Sequence, residues 1–208
     1  MNWNDLHFAK KLVLLPQVEQ KFGLKDLFSF LRLTGLKGKI SFSHSSGQHS
    51  LHQNLSIKEN YLLDALPTCL IQESNEYLNG HIAELQNPFL KDLIHMTFPM
   101  HRMISGLNKK ELALVNITKA LLHGPKYLFL ENPETYLNAS ELQIVKNTLV
   151  YEVEEHQLCV FVRSENAENW IDICPIILKK HETEFYKLYP NNLYPKIKFH
   201  PKEDREAA

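Results

Sequence analysis

Short, unbroken apolar runs separated by longer stretches of helical periodicity dominate this chain. Leu12–Leu15, Tyr127–Leu130, Leu158–Val162 and Ile176–Leu178 are each bounded by polar or turn residues. Runs of that length without alternation suit parallel strands covered on both faces, so each predicts a buried strand. Ile40–Ser43 is a weaker candidate. Helical patterns lie between them. Leu24, Leu27, Phe28 and Leu31 share one stripe, closed by Gly35. Asn138 caps a later helix, Glu141 completes a capping box, and Leu142, Val145 and Leu149 form the face to be buried. Strands alternating with helices predict α/β layering around a mainly parallel sheet. The stretch 56–122 is helix-rich without a strong strand and reads as a helical subdomain within a single domain of residues 1–188. From Tyr189 to Ala208 the chain is broken by Pro190 and Pro195 and then becomes charged, which predicts an extended arm or tail.

Composition narrows the class without naming it. A chain of 208 residues, 44% hydrophobic and 23% charged, is long enough for one substantial core. A net charge of −1 supplies no global field for nucleic acid or an anionic membrane. The longest apolar runs are about five residues, far short of a membrane span. Met1–Asp5 has no basic region leading into an apolar stretch, so a cytoplasmic chain is expected. Cys69, Cys159 and Cys174 lack metal-type spacing; Cys159 and Cys174 sit in apolar runs and read as core thiols. His44, His49 and His52 cluster, but their spacing matches no zinc pattern, and no metal site is expected. No G-x-S-x-G elbow supports Ser–His–Asp catalysis.

The stretch from Leu107 to Asn138 carries the strongest motif order. Leu107-Asn108-Lys109-Lys110-Glu111 precedes a helical run ending in Lys119-Ala120-Leu121-Leu122-His123-Gly124-Pro125-Lys126. Tyr127–Leu130, Glu131-Asn132-Pro133 and Leu137-Asn138 follow. This resembles the ATP-binding cassette (ABC) ATPases, whose pattern reads LSGGQ, ARALL, PK, four apolar residues, DEP and LD, without a gap. Gly38–Phe42 looks like that family's SGxIxF segment. Gln48 followed by Leu55–Asn60 looks like its Gln loop and trailing T-I-x-E-N. The resemblance runs from Leu12 to Leu178. It implies a P-loop NTPase-like core with an inserted helical subdomain, MgATP as cofactor, and a transporter permease or a second ABC ATPase as partner.

The positions that would touch nucleotide depart from that pattern. The GxxGxGKST slot falls on Gln20–Phe28, where only Gly23 survives. A phosphate cradle needs successive free backbone N–H groups, a lysine and a hydroxyl. The lysine slot holds Asp26, whose charge near phosphate costs on the order of 4 kcal/mol at ~4 Å and an effective dielectric of about 20. A one-residue shift brings Lys25 into place but puts Asp26 and Leu27 at the hydroxyl positions. Glu131 takes the aspartate position, where its longer arm can still hold a Mg²⁺-bound water. Asn132 takes that of the catalytic glutamate and cannot serve as a general base. Lys109 and Lys110 replace the signature glycines, while Asn108 and Glu111 form a capping box. Ser164 stands where the family has its switch histidine, and Arg163 lies one position early.

The resulting expectation is an ABC ATPase-like subunit without hydrolysis and without a bound cofactor. It would work by protein contacts with an active ABC ATPase, as a hetero- or homodimer, or with a permease at the inner face of the plasma membrane, without inserting itself. The expected contact surfaces are Gln48 to Tyr77, Gln48–Asn60 above all, and the aromatic arm from Tyr189. One alternative is a genuine ATP-binding subunit using Lys25 and Glu131 on MgATP, with Gly23, Asp26 and Gln48 as the other vestigial positions. Another is a stand-alone cytoplasmic scaffold or regulatory module.

Overall fold

The computed structural model describes residues 11–16, 38–46, 50–63, 74–181 and 185–193. In chain order the elements are β1 (Lys11–Pro16), β2 (Ile40–His44), α1 (Ile57–Leu62), α2 (Ser74–Glu84), α3 (Pro88–Met96), α4 (Lys109–Leu122), β3 (Tyr127–Glu131), α5 (Ala139–His156), β4 (Cys159–Ser164), β5 (Ile176–His181) and β6 (Phe185–Pro190). The strands form one sheet in the order β2-β3-β4-β1-β5-β6. The first five are parallel, and β6 closes the edge antiparallel to β5. Every predicted strand is present, Ile40–Ser43 included. The predicted helix over 24–33 lies outside the described residues.

The apolar runs are strands because both of their faces are dry. Leu12–Leu15, Tyr127–Leu130 and Cys159–Val162 are buried throughout. On one face Leu14, Leu130, Val162 and Ile177 lie in register, and on them pack Leu90, Leu93 and Ile94 of α3, Leu114 and Ile117 of α4, and Val145 and Leu149 of α5. On the other face Phe129 and Phe161 are register partners with rings stacked at 4.5 Å. Cys159 and Cys174 are buried, and burial pushes both thiols up to about 12. The helical stretch is tied closely to this core. Asn87 caps α3 and donates from Nδ2 to the Thr148 carbonyl and the Glu152 carboxylate of α5.

A smaller cluster of Leu51, Ile57, Tyr61, Leu62, Leu78, Ile104 and Val115 joins α1, α2 and α4. It corrects the reading of 48–60 as a contact surface at Leu51, Ile57 and Asn60, while His52, Gln53 and Asn54 remain exposed. Leu51 is only 6% exposed, and Asn60 is fully buried, its side chain bonded to His52 N and O and to Ser56 O. Gln48 and the stretch 64–73 lie outside the described residues. At the other end of the chain, Tyr189 pairs with Ile177 inside β6, so a strand occupies the place where an arm was expected to start.

Capping boxes close the amino ends of α1 (Ser56, Glu59), α4 (Asn108, Glu111) and α5 (Asn138, Glu141). The Ser56 hydroxyl and backbone N–H hold the Glu59 carboxyl below its ordinary value. Arg102, 2.5 Å away, and the Asn108 N–H do the same for Glu111.

Two outcomes follow from this packing. Leu128→Ala, at a fully buried site facing three helices, should cost about 2–5 kcal/mol in urea unfolding. A loss under about 1 kcal/mol would mean the sheet face is not the core. Depressed carboxyls contribute stability that is present above their ordinary value of 4.5 and is lost as pH falls through the lowered folded value. Stability should therefore drop on acidification below about pH 5, and the Glu59→Gln/Glu111→Gln double variant should show a shallower acid limb. Parallel acid limbs for the two proteins would remove the caps from that account.

Candidate functional site

In an open parallel sheet, ligands bind at the carboxyl ends of adjacent strands whose connections leave in opposite directions. Here those strands are β1 and β4. The chain leaves β1 for β2 on one flank and leaves β4 for β5 on the other. Pro16 and Ser164 are register partners at their ends, with Arg163 and Glu131 alongside. The crevice so located is where Glu131, Asn132 and Ser164 stand. Gly23, Lys25, Asp26 and Gln48 lie outside the described residues.

Register alone brings three charged or titratable side chains together near the strand ends. His44 of β2 opposes Glu131 of β3, and Glu131 opposes Arg163 of β4. Arg163 Nη1 donates to Glu131 Oε1 in a close ion pair whose side chains are 11% and 20% exposed. The Arg163 Nε is buried and makes no hydrogen bond. His44 Nε2 lies 3.8 Å from Glu131 Oε2. The Ser46 N–H donates to His44 Nδ1 at 3.0 Å, which leaves the ring proton on Nε2, facing the carboxylate. Arg163 is thus the partner of Glu131, a role its one-position offset does not suggest in sequence. Glu131 and His44 end their strands, and Arg163, one residue before the end of β4, lies level with them in register.

Asn132 has a structural post. Its backbone is left-handed, with φ 47°, a conformation that Asn tolerates better than most side chains. Its N–H donates to the Arg163 carbonyl at 2.8 Å, and its Oδ1 accepts from Glu165 N at 3.2 Å. Its carbonyl accepts from the Thr135 N–H and hydroxyl. Ser164 is fully buried. Its hydroxyl donates to Glu134 Oε1 and accepts from Asn166 N at 3.0 Å. Glu134, which sequence reasoning missed, also accepts from the indole N–H of buried Trp170 at 3.0 Å.

The signature-slot lysines are engaged within the chain as well. Lys109 lies over the Tyr136 ring at 5.4 Å, and Lys110 pairs with Glu141 at 3.0 Å. Among the described residues no group of three or more His, Cys, Asp or Glu is placed to hold a metal. A Mg²⁺-bound water would have to share Glu131 with Arg163.

No protein-family model matches the chain, and no curated protein matches its sequence. Solved structures do match its fold. A transporter assigned to the metal-chelate ABC type, in an inward-facing conformation, superposes with a TM-score of 0.60 at 15% identity, over 88% of this chain and 72% of that one. RNase-L Inhibitor superposes with a TM-score of 0.62 at 13% identity, over 93% and 37%. The archaeal ribosome recycling factor aABCE1, in complex with the ribosomal stalk protein aP1, superposes with a TM-score of 0.59 at 13% identity, over 86% and 34%. The likeness is one of fold: a mixed α/β, mainly parallel architecture of the kind found in ABC ATPase domains.

The Arg163–Glu131 pair can be tested directly. Arg163→Met should cost about 2–4 kcal/mol in urea unfolding, because it strands a half-desolvated carboxylate. Glu131→Gln should be destabilising too. The double variant should recover part of the sum, giving a coupling of about 1–3 kcal/mol. Strictly additive losses would mean the two groups do not interact.

Proposed function

We propose that this chain is an ABC ATPase-like module that does not hydrolyse ATP and acts through contacts with other proteins, as a non-hydrolysing component of an ABC transporter complex. The observation that carries the reading is the state of the crevice. The strand-end carboxylate is paired with an arginine, and the next residue is an amide fixed in a left-handed turn. Hydrolysis needs a carboxylate free for the metal and a base beside the attacking water. Asp26 in the lysine slot of the sequence pattern adds a repulsive charge where phosphate would sit.

The partner in this reading is an active ABC ATPase or a permease, and the chain works at the cytoplasmic face of a membrane through that partner. No described helix is long and apolar enough to cross a membrane. One similar structure belongs to an ABC transporter, and another is a recycling factor in complex with a stalk protein, so proteins of this fold work in assemblies, which supports the reading.

Calorimetry with MgATP on the full chain is the deciding experiment. The expected result is no binding heat at millimolar nucleotide and no phosphate release above buffer. Asn132→Glu should leave turnover absent, because the base alone does not rebuild a phosphate cradle. MgATP binding that Glu131→Ala removes would favour the genuine ATP-binding subunit. Co-purification of a permease or an intact ABC ATPase from the native host supports the transporter role, and recovery of neither overturns it.

A further inference from the structure

We propose that a cleft at the amino-terminal edge of the sheet binds a small amphipathic carboxylate, with an anionic head on an aromatic or branched apolar body. This inference is independent of the function proposed above. The cleft encloses about 270 Å³ where the start of β2 meets the carboxyl end of α4, α1 and α2. It lies at the opposite end of β2 from the crevice: Lys39 precedes the strand, and His44 ends it.

Its lining divides by chemistry. Lys39 and His81 form the polar side, His123 turns its Nε2 to the Tyr61 carbonyl at 3.3 Å, Leu62, Leu78 and Leu122 form the apolar wall, and no Asp or Glu is among the described lining residues. The Lys39 ammonium donates to the carbonyl of His123, the residue that caps α4. That bond anchors a flexible side chain at the mouth and leaves further N–H donors of the same group for a ligand. The His81 ring is steadied by stacking on Tyr77, with centroids 6.3 Å apart and planes 11° from parallel. In either tautomer it offers an N–H. With no carboxylate among the described lining residues, the Lys39 and His81 donors favour an anion, and the leucine wall demands an apolar body. The volume is just below the usual range for ligand sites, which limits the ligand to about one ring or a short branched chain.

The test uses the full chain and two probes of one shape, 4-phenylbutyrate and 4-phenylbutan-1-ol, followed by calorimetry and saturation-transfer NMR. The acid should bind at least about tenfold more tightly than the alcohol. Lys39→Met should weaken the acid by about tenfold and leave the alcohol unchanged, and His81→Glu should abolish binding of the acid. Both substitutions are at the rim, and unchanged thermal unfolding certifies each variant. Excess MgATP should not displace the acid. Four outcomes each overturn the proposal: equal affinity for the two probes, unchanged acid binding in Lys39→Met, displacement by MgATP, or no binding of either probe up to millimolar concentration.

Discussion

The structure depends on β1, β3 and β4 being dry on both faces. A strand buried twice can carry no polar side chain along its length, so every group able to do chemistry is pushed to its ends. Leu12–Leu15, Tyr127–Leu130 and Cys159–Val162 obey that rule without exception. Glu131, Arg163 and Ser164 are the first polar residues the chain can place after them. Parallel register then sets the neighbours: Glu131 has Arg163 on one side and His44 on the other.

A carboxylate at such an edge is half desolvated and needs a cation. In a metal-using site the ion supplies it. Here Arg163 does, and an always-charged guanidinium is not displaced by changes of pH within the physiological range. The same economy governs the next residues. Asn132 spends its amide on the Glu165 N–H, and Ser164 spends its hydroxyl on Glu134, which also answers Trp170. Polar groups that would otherwise be costly to bury satisfy one another, leaving little unfilled hydrogen-bonding capacity for a ligand. Among the described residues of the crevice, the buried Arg163 Nε makes no hydrogen bond.

Much of the fold was legible because run length and capping are local. Four residues without alternation can be read as a buried strand, and Asn138 with Glu141 as a helix start, from the residues alone. β6 escaped because Phe185–Pro190 mixes aromatics with Lys187 and ends in proline, a pattern that an antiparallel edge strand shares with an arm. Leu51 was read as surface because its partners Ile104 and Val115 come from elsewhere in the chain. The site was legible by position only. Glu131, Asn132 and Ser164 lie at or just past the carboxyl ends of β3 and β4, as the apolar runs before them require, but their bonds reach across the sheet. Glu134 meets Ser164 thirty residues away and Trp170 thirty-six away, separations at which sequence periodicity says nothing.

Helix α4 makes these separate regions one body. Near its start, Lys109 and Lys110 hold the loop and helix that follow β3. In its middle, buried Asn116 donates to the His44 carbonyl at 2.8 Å, beside the crevice. At its end, the His123 carbonyl takes the Lys39 ammonium, beside the amino-terminal cleft. One rigid helix therefore touches both ends of β2 and both polar sites. A change that rotates α4 cannot relax at one end alone, since close-packed residues such as Ile117 and Leu114 tie it to the sheet between them.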